Sequence, residues 1–291
     1  MTVIHHRNIN KISRLKLALF LTAGGMVLEF VGGFISNSLA LTSDAWHMLT
    51  HLFALSMTYF AIILSSRSAT KKHTYGFYRT EILVAFINGI VLIFIAGYLV
   101  YESVLRFLSP QDIKISEMLL IAGIGLVING ITTVFLFQAG SHDLNIRSAI
   151  LHEIGDLVSS IAIVIASLII LFTKNYIFDP ILAIFISILI VIWAIKLIVD
   201  SAGILLEFTP KHLDIDEVIA VLKNEIKGIY EVHHVHAWTI ASGIYAFTAH
   251  IVIDDCHISK ANEVLHEVNR LVKERFHIGH TNIQFECLVK K

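Results

Sequence analysis

Charge is what this sequence has least of. Only 15% of its 291 residues are Asp, Glu, Lys or Arg, against 56% hydrophobic, where soluble domains run nearer a quarter charged. That excludes a chain that is soluble throughout. Basic and acidic residues nearly cancel, 22 against 23, for a net charge of −1, so no overall basic character invites a nucleic acid. Three prolines and sixteen glycines leave no low-complexity linker and favour long helices. The two cysteines, Cys256 and Cys287, make no disulfide framework and suit a reducing compartment. The N-terminus is polar and has no small-residue cleavage pattern before the first apolar stretch, so no signal peptide is expected.

Long apolar runs are what the chain has instead. Six are placed near 15–36, 40–65, 81–107, 115–139, 147–173 and 178–203, each close to the ~20 residues that cross a bilayer as a helix. Arg7, Lys11 and Arg14 precede the first, and Arg67, Lys71, Lys72 and Arg79 fill the second connection, whereas SNSLALT in the first has no basic residue. The positive-inside rule then expects both termini, and the second and fourth connections, in the cytoplasm. After residue 207 charge becomes frequent. LDIDEVIAVLKNEIKGI and SKANEVLHEVNRLVKERF have the period of amphipathic helices, with Asp214 and Asp216 at the start of the first. YEVHHVHAWTI, YAFTAHIVID and HTNIQFECLV alternate as strands. The expected fold is a polytopic α-helical membrane protein with six transmembrane helices over 1–207, followed over 208–291 by a small cytoplasmic α+β domain. Its order is αββαβ, a ferredoxin-like two-layer arrangement with helices on one face of a sheet.

Four ionisable residues stand out against the apolar background. His47 and His51 lie in DAWHMLTH on the second run, and His152 and Asp156 in LHEIGD on the fifth. Each pair is spaced i, i+4, so on a helix both side chains project from one face. Ionisable groups in lipid are costly and by default mark a functional path. Two facing pairs would supply three imidazoles and one carboxylate, a set that holds a divalent transition metal tetrahedrally. Asp44, one turn before His47, reads as an acceptor for an imidazole N–H or, more simply, as a solvated residue at the helix mouth. In the first run, GGMVLEFVGG carries paired small residues for close helix approach. It also carries Glu29, read as a polar interhelical contact or as part of a proton or ion pathway.

A different class of function also fits part of the pattern. H-E-x-x-D at 152–156 comes near the zincin motif H-E-x-x-H, in which the Glu is the base of a metalloprotease. Asp156 replaces the second His, and four protein ligands leave no open position for water. A binding site is therefore expected, and no enzyme. Because an imidazole must be neutral to bind metal and its ordinary pKa is ~6.5, metal entering would displace protons and arriving protons would release metal.

The strings SNSLALTSDAWHMLTH, KKHTYGFYRTEILVAFING, HDLNIRSAILHEIGDLVSS, DPILAI and ILLEFTP occur in this order, with VHHVHAW and HTNIQFE near the end. Over nearly its whole length the chain thereby resembles the cation diffusion facilitator family, in its bacterial zinc, cobalt and cadmium efflux branch. The resemblance implies a proton-coupled antiporter exporting divalent cations, Zn2+ first and Co2+, Cd2+ or Ni2+ besides, with H+ as counter-ion. It implies a homodimer in the inner membrane with a metallochaperone-like cytoplasmic domain, and a transport site at His47, His51, His152 and Asp156. Zinc members of this branch usually carry Asp where this chain has His51, so one formal negative charge replaces two. A nitrogen-rich site disfavours manganese, magnesium and calcium.

For the cytoplasmic domain the resemblance implies a regulatory Zn2+ site at His233, His250 and Glu286, with His280 as a further ligand. Strand alternation puts His234 and His236 on one face and His233 on the other. Cys287 is expected as a buried free thiol, and His5 and His6 as groups that could reach this site from a partner subunit. A loop site seen in some members is expected to be missing or degenerate, since His73 matches while Thr70 and Phe77 do not. Arg79 and Asp200 fall where the family has a charge pair between the third and sixth spans.

Overall fold

Long stretches poor in proline and charge leave the backbone one way to satisfy its own polar groups, and they become helices. A computed structural model of the chain describes residues 20–65, 71–139, 144–241, 243–254 and 257–287; the side chains of 51, 54–65, 138–139 and 144–152 lie outside the description. Six helices open the chain: α1 Phe20–Ser36, α2 Leu39–Ser65, α3 Arg79–Leu108, α4 Ile115–Ala139, α5 Leu144–Thr173 and α6 Phe178–Leu205. Their bounds follow the six apolar runs closely. Among the described residues, four stretches are long and apolar enough to cross a membrane: Arg79–Leu108, Ile115–Phe137, Glu153–Thr173 and Phe178–Leu205. Large apolar side chains such as Phe94, Phe172 and Phe185 face outward, as lipid-facing surfaces do.

By contacts the chain forms two compact units, one of Met1–Thr58 with Ile87–Leu197, the other of Tyr59–Phe86 with Ile198–Lys291. In the first, Ala40 and Leu41 of α2, Leu92, Ala96 and Leu99 of α3, Met118 and Ala122 of α4, Ile163 and Ile170 of α5 and Ile186, Ile190 and Ala194 of α6 share one buried cluster. Gly32 and Gly33 of α1 serve close approach, as their spacing suggested, whereas a Cβ on Gly24 would meet nothing. A Cβ on Gly33 would come within 2.9 Å of the Thr42 backbone nitrogen, so only glycine lets α1 and α2 meet there.

The first turn of α2 is held from outside its own helix. Its leading N–H groups have no intrahelical acceptor, and a carboxylate from α6 supplies one. Asp179 Oδ2 accepts from Leu39 N at 2.8 Å, Oδ1 accepts from Ala40 N at 3.2 Å, and the Ser38 hydroxyl donates to the same Oδ1. Asp179 is fully buried. Just before it in space, Asn37 turns with a left-handed φ of 61°, and its carbonyl accepts from Arg106 Nη1 at 2.7 Å. The short first connection is thus clamped by α3 and α6.

In the second unit the order is α7 Ile215–Glu225, β1 Ile229–Ala241, β2 Ile244–Ile253, α8 Ile258–Phe276 and β3 His280–Cys287. This is αββαβ. The sheet runs β1-β2-β3, with β1 antiparallel and β3 parallel to β2. Asp214 caps α7, accepting from Asp216 N. Val218 and Leu222 of α7, and Val268, Val272 and Phe276 of α8, bury against Phe247, Ala249 and Ile251 of β2. The helices therefore cover one sheet face and leave the other open.

One charge pair differs from expectation. Arg79 Nη2 donates to Glu207 Oε1 at 2.8 Å, while Asp200 accepts from Lys211 Nζ. The chain reverses at Glu207, whose φ is 61°, and this turn beyond α6 carries a nearer acid to Arg79 than the one on the helix.

Replacing Asp179 with Ala should lower the unfolding temperature of the detergent-solubilised chain, since a lost cap alone costs about 1–2 kcal/mol. Asp179→Asn, which keeps an acceptor, should lose less. Equal losses in thermal scans of the two variants would show that the cap geometry is not what counts.

Candidate functional site

Helix periodicity puts His47 on the same face of α2 as His51, and Asp156 on the same face of α5 as His152. Between the two helices His47 Nε2 stands 3.5 Å from Asp156 Oδ1, and the Asp156 side chain is fully buried. The His47 ring also packs against Trp193 of α6, centroids 4.8 Å apart. His51 and His152 lie on α2 and α5 one turn away, and their side chains fall outside the described residues.

Around this pair the acids are hidden from water. Asp44, Glu29, Glu153 and Asp156 are all buried. Asp44 is completely so, and this overturns its reading as a solvated residue at the helix mouth. The Ser159 hydroxyl of α5 donates to Asp44 Oδ1 at 2.7 Å, tying α5 to α2 beside Asp156. Asn129 Nδ2 of α4 donates in turn to Ser160 Oγ at 2.8 Å. Glu29 faces Asp44, and its Oε1 lies where a Cβ on Gly125 of α4 would sit, 2.3 Å away. Neither Glu29 Oε2 nor Asp44 Oδ2 accepts a hydrogen bond from the described residues. Buried carboxylate oxygens of this kind call for a cation or a proton. Glu153 lies 3.5 Å from the Thr22 hydroxyl of α1, a role that strand-free spacing gives no hint of.

The second cluster sits on the open face of the sheet. Register pairs His233 with His250, and His250 with Gln284, so Glu286, two residues on, shares their face. The Glu286 carboxylate spans both imidazoles, 2.8 Å from His250 Nδ1 and 3.2 Å from His233 Nε2. The hydrogen bond from His250, helped by the neighbouring His233, holds the Glu286 carboxyl below its ordinary value. His280 pairs with Ala246, four positions from the His250–Gln284 pair and so about 13 Å along the strand at ~3.3 Å per residue. It lies edge-on to Tyr75 instead.

Strict alternation fails on β1, and with it the expected facing of the three histidines. His233 pairs with His250 but His236 pairs with Thr248, so β1 has one residue more than β2 there: a β-bulge. His234 takes a left-handed φ of 48°. The extra residue returns His236 to the face of His233, and His234 turns in as well. His234 Nδ1 is 3.0 Å from His233 Nδ1, and its ring stacks on His250 with centroids 5.0 Å apart. No alternating pattern could have found this, because it depends on a local backbone inversion. Beside the cluster is a pocket of 180 Å³ lined by His234, His236, His250 and Gln284 among others.

Cys287 is exposed at the last position of β3, against the expected burial. His73 stacks on Phe77. His5, His6, Thr70 and Cys256 lie outside the described residues.

Comparison with known proteins agrees along the whole chain. Residues 15–206 match the family described as cation efflux transmembrane domain, and residues 210–287 match the cation efflux protein cytoplasmic domain. The chain is 39% identical to the zinc transporter ZitB of Escherichia coli (strain K12), over 98% of this chain and 90% of the relative. It is 35% identical to the cadmium, cobalt and zinc/H(+)-K(+) antiporter of Bacillus subtilis (strain 168), over 97% and 91%. It is 37% identical to the metal cation efflux system protein CzcD of Cupriavidus metallidurans, over 94% and 85%.

Because Glu286 is held below the ordinary carboxylate value of 4.5, its ionised form favours the fold. That contribution is complete above about pH 4.5 and lost as pH falls through the depressed value. Metal-free Glu286→Gln should accordingly be less stable than the parent near neutrality and converge with it as pH falls through the depressed value. A stability gap in thermal scans that stays constant across this range would contradict the assignment.

Proposed function

The chain belongs to the cation efflux family, and from that premise we propose that it exports Zn2+ from the cytoplasm in exchange for protons. The observation that carries this reading is the buried approach of His47 on α2 to Asp156 on α5, 3.5 Å apart. Polar ligands near the middle of a helical membrane domain are where transporters bind their substrates. With His51 and His152 added from the same two faces, the site offers three imidazoles and one carboxylate. Nitrogen donors and tetrahedral geometry suit Zn2+, with Co2+, Cd2+ and Ni2+ as further cargo, and disfavour Mn2+. The names of the relatives point the same way.

In this reading all six helices α1–α6 span the inner membrane, residues 1–207 form the transport domain, and 208–291 form a cytoplasmic domain of ferredoxin-like topology. Both termini lie in the cytoplasm and two copies form a homodimer through the cytoplasmic domains. Neutral imidazoles bind metal and protonated ones cannot. A cation entering from the cytoplasm displaces protons, and protons arriving from outside discharge it. Asp44, fixed by Ser159, keeps α2 and α5 in register around the cation. His233, His250 and Glu286 would hold a regulatory Zn2+; their donor set and mutual contacts suit one, and bound metal would tie β1, β2 and β3 together.

Zn2+ flux into proteoliposomes tests this directly. His47→Ala and Asp156→Asn should each lower it at least by the about 10- to 100-fold that losing even an outer-shell partner costs a metal site. Flux should also change between about pH 6 and 8, where imidazole titrates; a flat profile would argue against imidazole-coupled exchange. His51→Asp should widen the metal range toward Mn2+, and identical preferences in both proteins would sink His51 as a selectivity determinant.

A further inference from the structure

We propose that His234 is a fourth protein ligand of the cytoplasmic metal site, giving that site the same donor set of three imidazoles and one carboxylate as the membrane site. The inference rests on reading the His233–His250–Glu286 cluster as a metal site and names the ligand that completes it.

Three observations converge on His234. Its backbone φ is 48°, an uncommon conformation for a non-glycine residue within a strand. The inversion sits in a β-bulge, which leaves one residue of β1 without a cross-strand partner and re-aims its side chain. The side chain so re-aimed meets two histidines: its Nδ1 is 3.0 Å from His233 Nδ1 and its ring stacks on His250. Ligand nitrogens of His233, His234 and His250 all lie within 4.8 Å of one another.

His234 is exposed, and exposed histidines usually project into solvent. Here the ring folds back over two others instead. His233 occupies the centre, turning Nε2 to Glu286 and Nδ1 to His234. A cation takes only one nitrogen of His233, so a rotation of that ring about Cβ–Cγ would bring His234, His250 and Glu286 to the same ion. With two histidines and a carboxylate alone, the site would leave a position to water, as open sites do. The third imidazole closes it. A closed, nitrogen-rich site prefers Zn2+ or Co2+ over oxygen-seeking cations, so the cytoplasmic domain would sense the metal class that the membrane domain moves.

The test uses the full-length protein in detergent, carrying His47→Ala to disable the membrane site, and titrates it with Co2+, whose d–d absorption reports coordination number. The proposal expects one cytoplasmic Co2+ with the intense bands of a tetrahedral site. His234→Asn is the informative variant, since asparagine tolerates left-handed φ and preserves the bulge while removing the imidazole. It should weaken Co2+ binding about tenfold or more and reduce the band intensity, with no loss of thermal stability in the metal-free protein. His250→Ala should abolish binding. If His234→Asn leaves affinity and spectrum unchanged while His250→Ala abolishes both, the site exists and His234 is not its ligand. If Co2+ fails to bind even with His234 intact, the metal-site reading itself falls, and the proposal with it.

Discussion

A buried carboxylate on α6 holds the first turn of α2, and the placement of His47 follows from that contact. Asp179 accepts from Leu39 N and Ala40 N, so α2 begins at a fixed height and rotation relative to α6. His47 lies two turns further along α2, against Trp193 of α6. On its other side it faces Asp156. Hydrogen bonds from Ser159 to Asp44 and from Asn129 to Ser160 carry the same constraint on to α5 and α4. Inside an apolar domain these few polar contacts have no water to compete with them, so they determine how the helices face one another.

Close packing and buried charge are linked in this unit. Glycine at 33 lets α1 approach α2, and glycine at 125 leaves the volume that the Glu29 carboxylate fills. Glu29, Asp44, Glu153 and Asp156, buried within one helical bundle, cost free energy unless something positive shares the space. A divalent cation bound in that space would offset the cost. The arrangement also suits alternating access, because a site stabilised by its cargo is least settled when empty.

The cytoplasmic sheet reaches a metal-type cluster by another route. There the clustered side chains come from three strands, so strand register does the positioning that helix rotation does in the membrane unit. Parallel pairing of β3 with β2 brings Glu286 alongside His250, and the bulge on β1 adds His233 and His234 to the same face. Acidic and imidazole groups from distant parts of the sequence meet with little burial, which keeps the cluster open to ions in solution.

Much of this was legible from residue order alone. Apolar runs determined where the six helices lie, because a polar backbone in lipid has few alternatives to the helix. Amphipathic periods determined the αββαβ order, and i, i+4 spacing put His47 with His51 and His152 with Asp156. Local rules stop where the partner is remote. Which acid answers Arg79, why Asp44 is buried, and what Asp179 caps all depended on contacts between segments far apart in sequence. The histidines of β1 show the limit most clearly: alternation separates His233 from His234, and one left-handed residue in a bulge reunites them. Sequence determined which donors this protein owns and which elements carry them, since both follow from local chemistry. Only tertiary structure decided which donors face each other, since that turns on helix rotation, strand register and a single backbone inversion.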